Sequence, residues 1–232
     1  MPASALYRKV LQIASLIKAI EQDQIAVSVG TDFVEYRKVR QSQDYRTSIY
    51  PMFDVGKSYI DASNGFWIMA KDSSKEIIHT QAIRLFDMSD VTLGDHLCSH
   101  RHKYITPDST TDPDNTYFSR PQALKTITGR VCYHGEFWLK SGSDGLAGAG
   151  YTSLLSRLVF EFAVLTWDPD FVFGFVPSHL AEKGIHTRYG YYHCEPGHWR
   201  SPTAGTTSDE SLVWMSRADL ADLLDHTVEG SL

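Results

Sequence analysis

The stretch that decides the fold is RVCYHGEFWLKSGSDGLAGAGYTSLLSRLVFEFAVLTWDPDFVFGFV, residues 130–176. Its first ten residues are rich in aromatic and apolar side chains, which predicts a strand over 130–139. Glycines interrupt residues 141–150 and predict a loop. Apolar side chains then recur at helical spacing over 152–167, and the short apolar run at 171–176 predicts a buried strand. This order of strand, glycine loop, helix and strand predicts an α/β or α+β fold.

Further elements extend the pattern in both directions. Apolar side chains at helical spacing predict three more helices, over 4–21, 177–187 and 218–224. Another helix begins after Gly30, where Thr31 or Asp32 can cap it. Short β-rich runs predict strands over 65–70, 76–86, 189–193 and 211–215. Together these elements predict a mixed, mainly antiparallel twisted sheet with helices on both faces.

Length and composition indicate one enlarged domain. The chain has 232 residues, of which 42% are hydrophobic and 22% are charged, as in an average globular protein. We expect a single domain over 1–232, with an N-terminal helical extension (1–45) and an inserted loop-rich stretch (87–128). The inserted stretch has no assigned elements in this prediction.

Charge and cysteine content exclude several classes of protein. The net charge of -6 at pH 7 argues against a general nucleic-acid binder, which needs a basic surface for the phosphates. Three cysteines are too few, and odd in number, for a disulfide framework and fit a reducing compartment. No apolar run approaches the roughly 20 residues that span a bilayer. We therefore expect a cytoplasmic protein without a nucleic-acid or membrane partner.

The glycine-rich segment at 141–150 is the first candidate binding site. A strand that ends in glycines and leads into a helix directs backbone N–H groups and the positive end of the helix dipole at one point, which suits a pyrophosphate. No Gly-Lys-Ser/Thr is present, which excludes a P-loop, and Gly145 and Gly148 do not complete a G-x-G-x-x-G motif. The alternative is that these glycines only form the turn.

The order of elements around this segment resembles the GNAT acyltransferase superfamily, whose preceding strands match the hairpin at 65–86. In that family a central strand leads to a loop of the form Gln/Arg-x-x-Gly-x-Gly/Ala, whose amides bind the pyrophosphate of acyl-coenzyme A, and then to a helix. The matching residues here are Gly145-Leu146-Ala147-Gly148-Ala149-Gly150. This chain departs from the pattern at Gly145, where Gln or Arg is usual, and at Asp144, whose charge opposes a phosphate.

The resemblance implies acetyl-CoA or another acyl-CoA as cosubstrate. The residues that it assigns to this cosubstrate are Leu139, Gly145, Leu146, Ala147, Gly148, Ala149, Gly150 and Tyr151. Some GNAT-like enzymes take the acyl group from an acyl carrier protein, which would place fewer demands on this loop.

The resemblance also implies two catalytic roles. Acyl transfer to an amine needs a base for the ammonium and an acid for the departing thiolate. A glutamate on the equivalent strand is often the base, which implies Glu136, and strand alternation places it on one face with His134 and Trp138. His186 aligns with the family's tyrosine acid, and Tyr189 is the alternative. In the plainer interpretation Glu136 forms a partly buried ion pair or a solvated rim charge, and His186 is an ordinary polar helix residue.

The ten histidines raise a metal centre as an alternative. His96, Cys98, His100 and His102 alternate in sequence and would share one face of a strand. Zinc sites rarely take four ligands from one strand, however, because the spacing does not suit a tetrahedron. We therefore expect no metal at this segment.

A second metal hypothesis combines distant residues. His134 and Glu136 with a distant His193 or His198 imitate a two-histidine, one-carboxylate iron site, in which Arg200 could bind an oxoacid. The predicted helices argue against the β-barrel that such oxygenases use. We therefore rank this hypothesis below acyl transfer.

These observations favour an enzyme that transfers an acyl group from acyl-CoA to a small amine. One alternative is a carrier-protein-dependent synthase of N-acyl amino acids or signals. Another is a non-catalytic GNAT-like binding module, which Asp144 and the missing Gln or Arg favour. The partners compatible with this prediction are the small amine, an acyl carrier protein and a second copy of the chain in a homodimer.

Overall fold

The structure is a computed structural model that describes residues 2–43, 48–105, 112–140, 150–201 and 205–225. The strands of these residues are β1 (Ala26–Gly30), β2 (Gly65–Lys71), β3 (Ile77–Met88), β4 (Tyr117–Ser119), β5 (Gly129–Leu139), β6 (Phe171–Pro177), β7 (His193–Ser201) and β8 (Gly205–Ser216). The helices are α1 (Ala3–Glu21), α2 (Phe33–Gln41), α3 (Leu93–His100), α4 (Tyr151–Trp167), α5 (Ser178–Ala181), α6 (Ile185–Arg188) and α7 (Arg217–Asp225).

One mixed sheet holds the eight strands in the order β1-β2-β3-β5-β6-β8-β7-β4. Among the described residues β5 and β6 form a parallel pair, and the other neighbours pair antiparallel. A parallel pair needs a crossover connection, which α4 supplies between the two strands. The predicted mixed, mainly antiparallel sheet is confirmed.

Helices cover both faces of this sheet. On one side, the α4 face, helices α1, α4 and α7 share an apolar core that includes Ile20, Leu158 and Leu220. On the other side, the α2 face, helices α2 and α3 contribute residues such as Tyr36 and Leu97 to a second core. The predicted placement of helices on both faces is therefore confirmed.

Helix α4 forms where the apolar spacing predicts it. Leu155, Leu158 and Phe160 are fully buried on its inner side. The helix follows Gly150, whose φ of 80° lies in the left-handed region that glycine adopts without strain. It ends at Asp168, which also has a positive φ, just before Pro169. The sequence prediction of 152–167 is thus confirmed to within one residue.

Several other predicted elements are confirmed. Helix α1 corresponds to the predicted 4–21, and β2 with β3 form the predicted hairpin. Asp32 caps α2 by accepting hydrogen bonds from the amides of Val34 and Glu35 at 2.8 and 3.2 Å. Ser216 caps α7, since its hydroxyl accepts from the Asp219 amide. The predicted helix at 177–187 is instead the two short helices α5 and α6.

The structure adds strands β1 and β4 and helix α3, and it corrects one predicted strand. Strand β1 lies within the segment 1–45, which the sequence predicts as helical, and it pairs with β2 at the edge of the sheet. Helix α3 lies within 87–128 and begins with a capping box between Thr92 and Asp95. The strand predicted over 189–193 is wrong, because β7 starts only at His193. None of the helices in the described part of the chain is long and apolar enough to cross a membrane.

Candidate active site

The centre of the sheet contains a fork between β5 and β6. The two strands pair in register over residues 131–133 and 171–173. Beyond that point their facing N–H and C=O groups no longer pair with each other, and a cleft of about 240 Å³ lies between the strands. The cleft is lined by Tyr50, Tyr133, His134, Gly135, Glu136, Phe137, Gly174, Phe175, Val176, Pro177, Leu180, Tyr189, Tyr191 and Val213.

A bulge at Glu136 bends β5 at the mouth of the fork. Glu136 has a φ of 57°, and the register of β5 against β3 shifts between Thr80 and Ala82. An extra residue in a strand reverses which face the following side chains reach. His134 therefore faces the α4 core, where it contacts Phe160, whereas Glu136 faces the α2 side. The prediction that both share one face is wrong for this reason.

The Glu136 carboxylate lies in a fully buried ion pair. Its Oε2 accepts a hydrogen bond from Arg40 Nε at 2.8 Å, and its Oε1 accepts from the Tyr50 amide at 2.8 Å. Arg40 Nη2 also donates to the Ser48 carbonyl at 3.2 Å, and Nη1 donates to Gln43. The ion pair thus connects the segment after α2 to the bulge. The plainer interpretation predicted an ion pair here, but the pair is fully buried and not partly buried. The role of Glu136 as base stays a prediction.

His134 lies on the opposite wall of the cleft as a buried, neutral ring. Its Nε2 is 3.0 Å from Gln81 Oε1, and its Nδ1 is 3.1 Å from the Tyr191 hydroxyl. Burial lowers the pKa of His134 to about 3. The ring therefore carries no charge near pH 7 and takes part in hydrogen bonds as an uncharged group.

The two candidate acids lie in different places. Tyr189 lines the cleft, and its ring packs against Phe137 at 4.5 Å between centroids. His186 lies on α6 and is not among the residues that line the cleft. Its Nδ1 is buried and has no hydrogen-bond partner among the described residues. The structure thus brings Glu136 and Tyr189 to one cleft and leaves His186 outside it.

The residues assigned to the cosubstrate are only partly described. Leu139 ends β5 and packs against the α4 core, while Gly150 and Tyr151 begin α4. The Tyr151 ring is buried and its hydroxyl donates to Asp23. The remaining predicted residues, and Asp144 beside them, lie outside the described residues: Gly145, Leu146, Ala147, Gly148 and Ala149.

The first turn of α4 is a candidate anion site. No side chain of the described residues caps it. The first amides of a helix have no partner within the helix, and they lie at the positive end of the helix dipole. The turn lies on the same sheet face as His134 and Tyr191, since all belong to or contact the α4 core. An anionic group bound there would lie on the α4 side of the fork.

Gly174 is a site residue that the sequence analysis missed. A Cβ atom at this position would lie 2.9 Å from the His134 carbonyl oxygen and 3.2 Å from the Tyr191 hydroxyl. The absence of a side chain therefore lets β6 pass close to these two oxygen atoms. A signal was present, because an isolated glycine inside a predicted strand often marks a close approach of backbone or ligand.

The structure does not support the metal hypotheses. Residues 96–100 belong to helix α3, so the alternation on a strand face is wrong. His96 Nε2 instead lies 2.8 Å from the Tyr104 hydroxyl, and its ring stacks on His100. The described residues contain no group of three or more histidine, cysteine, aspartate or glutamate side chains arranged to hold an ion.

The more distant histidines also have other partners. His193 Nε2 lies 3.1 Å from Asp219 Oδ2, and its ring stacks on Trp214 at 3.9 Å between centroids. His198 pairs with Asp209. Because His134 binds Gln81 and Tyr191 instead, the geometry of the described residues does not assemble the iron site considered above.

Comparison with known proteins gives matches at the level of structure. No family model and no curated protein sequence matches the chain. Aminoglycoside acetyltransferase AAC(6')-Ib, solved in complex with coenzyme A and kanamycin, is 12% identical with a TM-score of 0.44. That match covers 85% of this chain and 98% of the other.

Two further solved structures are similar. Arabidopsis thaliana NAA60 in complex with acetyl-CoA is 11% identical with a TM-score of 0.47, and the match covers 83% of this chain and 98% of that one. Spermidine N-acetyltransferase from Vibrio cholerae, in complex with CoA and spermine, is 7% identical with a TM-score of 0.41, covering 85% and 98%. All three matches cover most of this chain, at a low sequence identity.

Proposed function

We propose that the protein is an N-acyltransferase that moves an acyl group from acyl-CoA to a small amine. The observation that carries this proposal is the fork between β5 and β6. The arm of an acyl-CoA thioester is an extended chain with amide groups, which can lie between two separated strands and bind backbone groups of both, as an added strand does. Strands that have stopped pairing offer such groups at both walls.

The two ends of the fork suit the two ends of such a cosubstrate. The uncapped first turn of α4 follows the glycine-rich segment that resembles a pyrophosphate-binding loop. The thioester would then reach the middle of the sheet, where Tyr189 and Glu136 line the cleft. The amine would approach from the α2 side, where Tyr50 and Tyr133 form the wall.

The chemistry assigns a proton acceptor and a proton donor. The amine nitrogen attacks the thioester carbonyl, the C–S bond breaks, and the ammonium proton passes to Glu136. Glu136 lines the cleft, and its carboxylate accepts hydrogen bonds from Arg40 and from the Tyr50 amide. Of the two predicted acids we assign Tyr189, because it lines the cleft, to donate a proton to the departing thiolate.

The alternative is a binding module without catalysis. The observation in its favour is Asp144, whose charge opposes a phosphate bound at this segment. An acyl carrier protein remains an alternative donor, because its arm would enter the same fork without placing a pyrophosphate at the loop.

The direct test is release of the free thiol from an acyl donor. We expect the purified full chain to release coenzyme A from acetyl-CoA or a longer acyl-CoA only when an amine from a panel of small amines is present. Tyr189→Phe should lower kcat by about 10²-fold or more, because general acid catalysis contributes about that much. Thiol release with an acyl carrier protein as the donor, but with no acyl-CoA, would support the carrier-dependent alternative. Binding of acyl-CoA without release for any amine would support the binding module.

A further inference from the structure

A chain of hydrogen bonds runs from α4 into the fork. Gln81 Nε2 donates to the Leu155 carbonyl at 2.7 Å, and Gln81 Oε1 lies 3.0 Å from His134 Nε2. His134 Nδ1 lies 3.1 Å from the Tyr191 hydroxyl, which lines the cleft. The Gln81, His134 and Tyr191 side chains are buried, so each has these neighbours in place of water. We call this group the Gln81–His134–Tyr191 chain.

The backbone carbonyl at one end determines the direction of every hydrogen bond in the chain. A carbonyl can only accept, so the Gln81 NH₂ group must face Leu155 and its Oε1 must face His134. An oxygen at that position accepts, which places the ring proton of His134 on Nε2. The Nδ1 atom of the neutral ring then has a lone pair and accepts the hydroxyl proton of Tyr191.

The Tyr191 oxygen therefore presents lone pairs to the cleft. Its hydrogen is held by His134, and Tyr191, His134 and Gly174 all line the cleft. A Cβ built on Gly174 would lie 3.2 Å from the Tyr191 oxygen. The His134 carbonyl oxygen lies 2.9 Å from the same point. Two hydrogen-bond acceptors thus converge where β5 and β6 separate.

From this geometry we propose that Tyr191 positions an N–H group of the ligand by accepting its hydrogen bond. This inference rests on the proposed function, because the N–H group belongs either to the amine or to an amide of the acyl donor's arm. A hydrogen bond from the amine would orient the nitrogen lone pair at the thioester carbonyl. A hydrogen bond from the arm would fix the depth to which the thioester enters the fork.

A role in transfer of protons does not fit the surroundings of His134. Its ring contacts Phe160 and Phe137, and burial keeps it neutral, with a pKa of about 3. The titratable groups that face Tyr191 are His134, Cys132 and Tyr189, and the Phe160 ring also packs against it. Burial raises the pKa of Tyr191 and of the Cys132 thiol. The Gln81–His134–Tyr191 chain therefore keeps one protonation state between pH 5 and 9.

The test measures ligand affinity and kinetics in Tyr191→Phe. We expect the KM for the amine, or the Kd for acyl-CoA, to rise about 3- to 10-fold, which corresponds to one lost neutral hydrogen bond. A change in the KM of the amine assigns the N–H group to the amine, and a change in the Kd of acyl-CoA assigns it to the donor. The ratio of wild-type to variant values should not change between pH 5 and 9. A folded variant with both constants unchanged would overturn the proposal.

A second variant separates the direction of the hydrogen bond from packing. In His134→Phe the Tyr191 hydroxyl loses its acceptor and can turn its hydrogen toward the cleft, so Tyr191→Phe should have little further effect in that background. Additive effects of the two changes would contradict the proposal, because residues in one network should couple. If His134→Phe does not fold, Gln81→Met takes its place, since it removes the group that determines the ring tautomer.

The inference and the proposed function fail in different ways. A wild-type protein that binds no acyl-CoA and no acyl carrier protein contradicts the proposed function. A wild-type protein that is active, with the constants of Tyr191→Phe unchanged, contradicts only the role of Tyr191.

Discussion

Glu136→Gln is expected to lower the free energy of unfolding by about 3–5 kcal/mol, because it leaves the buried Arg40 without its carboxylate. Both side chains of the pair are fully buried, so water does not replace the missing partner. The measurement is urea denaturation of the wild type and the variant at pH 7, followed by circular dichroism. A loss below about 1 kcal/mol would show that the pair is solvated in solution and would contradict the structure.

The same variant cannot test the base by itself, because loss of activity would follow from loss of the fold. The double variant Arg40→Met with Glu136→Gln supplies the control, since replacing a buried ion pair by uncharged groups is often close to neutral in stability. We expect this double variant to recover most of the lost stability and to remain inactive. If it recovers the fold and also keeps wild-type turnover, Glu136 is structural and another group accepts the proton.

Gly174→Val is expected to weaken acyl-CoA binding or turnover by about 100-fold or more. Its Cβ would lie 2.9 Å from the His134 carbonyl oxygen, so the side chain would both fill the fork and move its wall. Small displacements in a site that positions reacting atoms can cost about 100-fold in rate. The measurement is calorimetric titration with acetyl-CoA, together with thiol release.

The graded control for this variant is Gly174→Ala, which adds the Cβ alone. Its effect should be smaller than that of valine, because fewer atoms enter the cleft. Near-ultraviolet circular dichroism of both variants separates a blocked fork from a disturbed sheet. Wild-type affinity in a folded Gly174→Val protein would show that the ligand does not pass between β5 and β6.

The periodicity of apolar residues in the sequence predicted the elements that bury one face and expose the other. The strand–loop–helix–strand order around α4 is confirmed, because long apolar patterns leave few alternatives. The sequence did not predict strand β1, because this strand is five residues long and only partly buried at the edge of the sheet. The sequence did not predict helix α3, because apolar residues do not recur clearly at helical spacing in it. The capping box of Thr92 and Asp95 was nevertheless visible in the sequence.

The sequence predicted which strand carries the candidate site, but it did not predict how the side chains of the site are arranged. A glutamate on the central strand was identifiable, but its orientation depends on a bulge that leaves no clear pattern in the sequence. Its partner Arg40 lies 96 residues earlier in the chain, and only the packing of α2 brings the two together. The hydrogen bond between Tyr191 and His134 depends on the turn after α6, which no sequence pattern predicts.

Hydrogen–deuterium exchange with and without saturating acetyl-CoA tests the central claim, that the fork between β5 and β6 holds the acyl donor. We predict slower exchange of amides in residues 134–139, 174–177 and the first turn of α4, with β1 unchanged as an internal control. Each of these regions has amides that a bound arm or phosphate would cover. Unchanged exchange at both walls of the fork, while acetyl-CoA protects another part of the sheet, would contradict the account.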